Sequence, residues 1–233
     1  MVKNRHSRNR RDKKTVSKTT EEKTMTATGR KEKTENLLKE WNIPVYDNIP
    51  TLEEEESVKL KTDQEVAKRI IILAYLNCAA QIEVKQEILA FLKAEALWES
   101  VTEEEKELFE KPAFTEDEIT TILWRSESIL LLLWALRKVQ TLDVPIEEVD
   151  MNDIIRLLPP FLSSTADFVH SATLRSVSEI LDQADLIFRL HWVLRQAHVD
   201  GSAPLALHPG IVYERNYAID WVTCVRDQWN ELA

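Results

Sequence analysis

Residues 116–139 constrain the fold most, because they form a long helical pattern without a polar face. Thr115 and Glu118 have the spacing of a capping box, in which each side chain binds the backbone N–H of the other residue. Apolar side chains follow on every side of the helix, and such a helix is buried among other elements. The apolar run 129–136 is too short to span a bilayer. The sequence therefore predicts a buried central helix over residues 116–139.

Capping signals and helical periodicity predict helices along most of the chain. Thr62 with Glu65 and Thr102 with Glu105 form two further capping boxes, each followed by a helix. Other helices are predicted over residues 34–41, 83–97, 176–198 and 211–229, and short ones near residues 151–158 and 163–170. No β pattern is present, so the predicted fold class is all-α: a single globular multi-helix bundle around the central helix.

Charge divides the chain into two parts. Residues 1–35 carry 12 Lys and Arg against 5 Asp and Glu, whereas the remainder carries a net charge of −17. Residues 1–33 contain too few large apolar side chains to offset the entropy lost on ordering. We therefore predict a disordered basic tail over residues 1–33 and an all-α globular domain over residues 34–233.

The same charges limit the partners that are expected. An acidic body repels nucleic acid and anionic membranes, so nucleic acid would have to bind through the tail, which is otherwise a solvated extension. No membrane contact is predicted, and the body suits a protein partner of basic character. Cys78 and Cys224 are expected to be buried free thiols, and no secretory signal pattern is present. Both features favour the cytoplasm.

Four charged residues interrupt the apolar faces of two predicted helices. Arg125 and Glu127 lie about 160° apart on the central helix and cannot pair with each other. A buried charge is costly unless it is paired. Glu214 and Arg215 occupy matching positions on the last helix, so we predict an Arg125–Glu214 pair and a Glu127–Arg215 pair. The pairs are either a structural network that fixes helix register or a polar site that grips a carboxylate or phosphate.

The long helix 176–198 carries further polar residues. A helical wheel places Asp185 and Arg189 on its polar face, where they are expected to form a surface pair worth about 0.3–0.5 kcal/mol. His191 and His198 share an apolar face. They are interpreted as core histidines or, with a third ligand that the sequence does not supply, as metal ligands.

Signals for catalysis are weak. Glu179 and Asp182 form an E-x-x-D pair of the kind that helical metal-dependent pyrophosphatases use, but the nearest acidic complement is the run Glu53–Glu56. No nucleophile–base arrangement is readable, and only three glycines are present, which argues against glycine-rich phosphate loops. The sequence favours a non-enzymatic protein and predicts neither a cofactor nor a metal.

The chain resembles a bacterial family known as domain of unknown function 4272. The resemblance covers about residues 35–230 and is carried by the segments LKEWNIPVYDNIP, ALWESVTEEEKELF, WRSESILLLLWALRKVQTLDVP, SEILDQADLIFRLHWVLRQA and VYERNYAIDWV. It implies that the family's motif positions here are Arg125, Glu127, Asp185, Arg189, Trp192, Glu214 and Arg215. The chain has Asn216 where the family often has His, and Asp220 where it often has Asn. The family implies a fold, but no reaction.

Two functions remain open. The first is a non-enzymatic interaction or accessory module with a structural buried Arg/Glu network. The second is a small-molecule or phosphate-binding pocket, hydrolytic or not, built from charged motif residues. These residues are Arg125, Glu127, Asp185, Arg189, Glu214 and Arg215. The two functions differ in whether these side chains line an open pocket or saturate one another in a closed core.

Overall fold

The computed structural model describes residues 25–201 and 206–229, and within these residues it contains helices and no strand. The prediction of an all-α fold is therefore confirmed. The helices are α1 (Ala27–Glu40), α2 (Asp63–Gln81), α3 (Lys85–Ala94), α4 (Glu103–Glu110), α5 (Glu116–Ala135), α6 (Met151–Ile155), α7 (Ala166–His170), α8 (Val177–Asp200) and α9 (Pro209–Val222). Two short 3-10 helices lie at Glu55–Ser57 and Trp98–Ser100.

The helix α5 is the centre of the bundle and packs between α2 and α9. Its capping box is present: the Thr115 hydroxyl accepts a hydrogen bond from the amide of Glu118, and the Glu118 carboxylate accepts one from the amide of Thr115. Ile129 and residues 131–135 are buried in the main core. The predicted boxes at Thr62 and Thr102 also form. In the described parts of the chain, no helix is long and apolar enough to cross a membrane.

Helix α5 ends at Ala135, four residues before the predicted boundary at residue 139. Arg137 adopts a φ of 60°, in the left-handed region. The amide of Lys138 then donates to the carbonyl of Leu133, and the amide of Arg137 donates to that of Trp134, which together form a Schellman ending. Glycine is the usual residue at this position, so a sequence with arginine there gives no signal that the helix ends.

Helix α9 ends at Val222, so its predicted extension to residue 229 is also wrong. Cys224 adopts a φ of 55° and turns the chain back over the helix. Trp229 is thereby buried against the rings of Tyr217 and Trp221, with centroids 5.2 and 5.3 Å away. The Tyr217 hydroxyl donates a hydrogen bond to the carbonyl of Trp229.

The boundary predicted for the disordered tail is wrong, because α1 begins at Ala27. Thr26 caps it by accepting a hydrogen bond from the amide of Gly29 at 3.1 Å. Arg30 is 1% exposed and pairs with Glu55 at 3.1 Å and Asp182 at 3.2 Å. These partners lie far away in the sequence, so local composition could not reveal them. The rest of the predicted tail, residues 1–24, lies outside the described residues.

Candidate functional site

The predicted Arg125–Glu214 pair is confirmed at the contact between α5 and α9. Arg125 Nη1 lies 3.2 Å from Glu214 Oε2, and the Ser128 hydroxyl donates to the same oxygen at 2.7 Å. The guanidinium also lies 4.6 Å from the centroid of the Tyr217 ring, a cation–π contact. Glu214 is thus satisfied by two partners within the core.

The predicted Glu127–Arg215 pair is also confirmed at the contact between α5 and α9. Arg215 Nη2 lies 3.0 Å from Glu127 Oε2, and Glu127 is 0% exposed. Glu127 Oε1 accepts a hydrogen bond from the amide of Val149 at 2.7 Å, while Arg215 Nη1 donates to the carbonyl of Asp143 at 2.7 Å. The pair therefore fastens the connector between α5 and α6 to both helices.

Asp185 and Arg189 form a buried pair, so the prediction of a surface pair is wrong. Their side chains are each 1% exposed, and Arg189 Nε and Nη2 donate to the two carboxylate oxygens of Asp185 at 2.9 and 3.0 Å. Arg189 also donates to the carbonyl of Pro50 at 3.2 Å and lies 3.6 Å from Glu35 of α1. The wheel fails because α1 and the segment after it cover the polar face of α8.

The seven predicted site residues do not converge on one opening. The first two pairs lie between α5 and α9, whereas Asp185 and Arg189 lie between α8 and α1. Trp192 is half-buried on α8 and packs edge-on against Phe188, with ring centroids 6.4 Å apart. Most of the predicted polar site is therefore a set of closed, paired charges, and its functional role stays a prediction.

One predicted residue, Arg215, reaches a large surface groove. This acidic groove is about 780 Å³ in volume and is formed by the connector between α5 and α6 together with α6. Exposed Ile146 and Leu157 lie among its lining residues. Its exposed carboxylates are Asp143, Glu147, Glu148, Asp150 and Asp153. The sequence did not single this groove out, because its residues have the composition of a solvated connector.

A second opening, the apolar cavity, lies on the other side of α6. It has a volume of about 290 Å³ and is formed by α2, α6 and the turn 158–165, with Tyr75, Cys78, Ile155 and Phe161 among its lining residues. None of the seven predicted site residues lines it.

The predicted metal signals are not assembled into a site. Within residues 25–201 and 206–229, no three His, Cys, Asp or Glu side chains are placed to hold a metal ion. His191 is half-buried, and burial lowers the pKa of its imidazole, with Arg195 and Arg226 adding to the effect. His198 is exposed, so its assignment to the core is wrong.

The E-x-x-D pair is occupied by protein groups. The backbone amide and hydroxyl of Ser176 and the guanidinium of Arg175 bind Glu179 and lower its pKa to about 2. Asp182 binds Arg30, which also binds Glu55, so a guanidinium lies between these two acidic segments. The guanidinium of Arg30, on α1, is therefore the cation that neutralises these two acidic segments.

A further buried pair, Arg69 with Glu105, was missed by the sequence reasoning. Arg69 Nη1 lies 2.7 Å from Glu105 Oε2, and the guanidinium lies 5.3 Å from the centroid of the Trp229 ring. The sequence pattern indicates Glu105 only as the second member of the Thr102 capping box, and the same carboxylate also binds Arg69. The available signal was Arg69, which follows Lys68 and stands immediately before an apolar helical run.

Asp220 lies on α9 and is half-buried. Its carboxylate accepts a hydrogen bond from the Asn216 side chain at 2.8 Å. Burial raises the pKa of Asp220 to about 6, although Arg226 and the bond from Asn216 act in the opposite direction. The folded state therefore holds this proton more tightly than the unfolded chain, whose pKa is near 3.8.

The substitution Asp220→Asn should stabilise the protein at neutral pH. A raised folded pKa gives a contribution that is fully present below about pH 3.8 and is lost as the pH rises through about 6. At pH 7 the ionised carboxylate opposes folding, and we expect a gain of about 1–2 kcal/mol after allowance for partial exposure. Urea unfolding of both proteins at pH 7 and at pH 4 measures it. The gain should shrink towards pH 4, and a gain that is equal at both pH values would contradict the assignment.

Comparisons with known proteins agree with the resemblance seen in the sequence. The family model described as "Domain of unknown function (DUF4272)" matches residues 30–232. No curated protein and no solved structure shows significant similarity to the chain. The match spans nearly all the described helices, including most of α1 and all four buried pairs. The chain therefore belongs to the DUF4272 family.

Proposed function

We propose that the protein is a non-catalytic interaction module that binds a basic, amphipathic segment of a partner protein in the acidic groove. The observation that carries the proposal is the grouping of exposed carboxylates beside exposed Ile146 and Leu157. A segment with alternating lysine or arginine and apolar side chains matches both features. Charge complementarity would steer its approach, and the apolar side chains would anchor it.

The electrostatic balance of the groove supports a cationic partner. Of its five exposed carboxylates, Asp153 is paired with Arg156 at 2.6 Å, and the charge of Arg215 is matched by Glu127. Four carboxylates remain: Asp143, Glu147, Glu148 and Asp150. Carboxylates of one sign lining a concave surface raise the local concentration of oppositely charged groups.

The buried pairs have a structural part in this proposal. Glu127 holds the amide of Val149, and Arg215 holds the carbonyl of Asp143, so the pair sets the shape of the wall of the groove. Such preorganisation reduces the ordering that binding requires. The predicted motif residues would then position the surface without touching the partner's charges.

The alternative pocket for a small acid or phosphate gains no support from this geometry. Arg125, Arg189 and Arg215 each already bind a carboxylate in the described core. The opening that Arg215 reaches is acidic, and it would repel a phosphate. We therefore favour the interaction module and infer a bacterial, cytoplasmic setting, which the family's bacterial character and the two free thiols of Cys78 and Cys224 support.

The proposal can be tested with a fluorescent amphipathic peptide of lysine and leucine. The double variant Glu147→Lys/Glu148→Lys should weaken binding in 50 mM salt at least about tenfold, because it reverses half of the unpaired charge in the groove. The wild-type affinity should fall in 300 mM salt. Fluorescence anisotropy measures both effects.

The matched control is Glu107→Lys/Glu110→Lys, which changes the net charge by the same amount at exposed positions of α4, a helix that does not line the groove. It should alter the affinity less than about twofold, since surface charges beyond a Debye length are screened. Equal weakening by the two double variants would show that the peptide responds to overall charge alone. That result, or an absence of binding in 50 mM salt, would contradict the proposal.

A further inference from the structure

The apolar cavity has the form of a small-molecule site. Its volume of about 290 Å³ is near the lower end of the range for ligand pockets, roughly 300–1,000 Å³. Exposed Ile82, Ile155 and Phe161, at 51, 56 and 50% exposure, belong to its lining. Large apolar side chains that stay in water around a concavity are typical of binding sites.

The lining of the cavity carries no charge. All 13 side chains that form it are apolar or neutral, and burial raises the pKa of both Cys78 and Tyr75, so these two remain protonated at neutral pH. Glu95, the charge beside Thr165 of the lining, is already held by hydrogen bonds from Ser164 and Thr165. An ionised ligand group would therefore lose hydration in the cavity without gaining a free counter-charge. The cavity therefore discriminates against carboxylates, phosphates and ammonium groups.

One wall of the cavity offers a hydrogen-bond donor. The Tyr75 hydroxyl oxygen accepts a bond from the amide of Leu162 at 2.8 Å, and its own proton has no acceptor within the described part of the protein. The Asn77 amide, by contrast, is already occupied. It donates to the carbonyl of Ile122 at 3.2 Å and accepts from the Gln81 side chain at 2.7 Å. Buried polar groups normally have partners, so a free Tyr75 proton indicates a place for a ligand acceptor.

We propose that the apolar cavity binds an uncharged, largely apolar small molecule whose carbonyl or ether oxygen accepts a hydrogen bond from Tyr75. This site is distinct from the acidic groove. Met151 and Ile155 of α6 line the cavity, whereas Asp153 and Ile154 of the same helix line the groove. The ligand site does not depend on the proposed partner.

The two cysteines provide a test in the unmodified protein. Cys78 lines the cavity, while Cys224 follows α9 and lies outside it. The neutral thiol reagent methyl methanethiosulfonate would be applied with and without three eight-carbon probes: 2-octanone, octanoate and octylammonium. Mass spectrometry of tryptic peptides then gives the modification rate at each cysteine. We expect 2-octanone to slow modification of Cys78 at least about threefold and to leave Cys224 unchanged.

Direct binding by isothermal titration should rank the same probes. The neutral ketone should bind at least about tenfold more tightly than either charged probe, because an uncompensated charge in an apolar site is strongly disfavoured. The substitution Tyr75→Phe should weaken the affinity for 2-octanone about fivefold, which is the usual effect of losing one neutral hydrogen bond. Exposed Tyr213→Phe on α9 is the matched control and should leave the affinity unchanged.

Blocking the cavity gives an independent readout. The substitution Ala74→Phe places a ring in the lining and should abolish protection of Cys78, while Ala80→Phe on the same helix lies outside the lining and should not. If Ala74→Phe fails to fold, the wild-type assays still decide the matter. Equal protection by octanoate or octylammonium, equal slowing at both cysteines, or no protection by 2-octanone would each overturn the proposal.

Discussion

Replacing Arg189 with methionine should lower the free energy of unfolding by about 3–5 kcal/mol, because it leaves a buried carboxylate without its partner. The side chain of Asp185 is 1% exposed, and both of its oxygens are bound by Arg189. Urea unfolding at pH 7 measures the loss. A surface pair, which the helical wheel predicts, would give well under 1 kcal/mol, so the two interpretations differ several-fold.

A double-mutant cycle separates the pair from its surroundings. Asp185→Leu/Arg189→Met should lose much less stability than the sum of the two single changes, because the buried carboxylate is removed with its partner and Glu35 keeps Lys31 at 3.6 Å. Arg137→Met is the control: Arg137 pairs with Glu179 at 3.3 Å on the surface and should contribute less than about 1 kcal/mol. Small, additive effects at Asp185 and Arg189 would show that water reaches both and that the closed core is not formed.

The substitution Arg215→Met should have a similar cost, about 3–5 kcal/mol, and should also loosen the wall of the acidic groove. Glu127 would keep its bond from the amide of Val149 but would lose its counter-charge, and the carbonyl of Asp143 would lose its donor. Denaturant unfolding gives the stability change. Hydrogen exchange at residues 143–149 should accelerate more than exchange in α2, because the connector loses a tether that α2 does not use.

The double variant Glu127→Gln/Arg215→Met should recover part of the lost stability, since glutamine is neutral and can still accept from Val149. Arg125→Met serves as a comparison, and its free energy of unfolding should fall less than that of Arg215→Met. The Arg125 side chain is 19% exposed, and Ser128 would still bind Glu214. If Arg215→Met leaves exchange at residues 143–149 unchanged, the pair does not set the shape of the groove.

The part of the site that could be predicted from the sequence is the part built between two apolar helices. Arg125 and Glu127 lie within apolar faces of α5, and Glu214 and Arg215 lie on α9, so the need to pair buried charges was enough to join them. The same argument does not predict that Asp185 and Arg189 are buried. Their burial depends on α1, a helix whose polar composition gives no sign of its long-range partners.

The ends of α5 and α9, the acidic groove and the apolar cavity could not be predicted from the sequence, for a related reason. Arg137 and Cys224 adopt left-handed conformations that glycine usually signals, so α5 and α9 appeared longer than they are. The acidic groove and the apolar cavity are concave only because α6 is held against α5 and α2. Concavity is a property of packing between distant segments, and no local pattern encodes it.

The position of α1 has a consequence for the order in which the chain can fold during synthesis. Arg30 meets Asp182, a residue 152 positions later in the chain. At translation rates of about 5–20 residues per second, roughly 8–30 s separate the appearance of these two side chains. During this interval α1 has no α8 to pack against, whereas the chain that forms the α2–α5 contact is complete once Ala135 is made, before α8 is synthesised. The first helix of the described chain is therefore among the last to dock, and the Asp185–Arg189 pair becomes buried only when α1 closes over it.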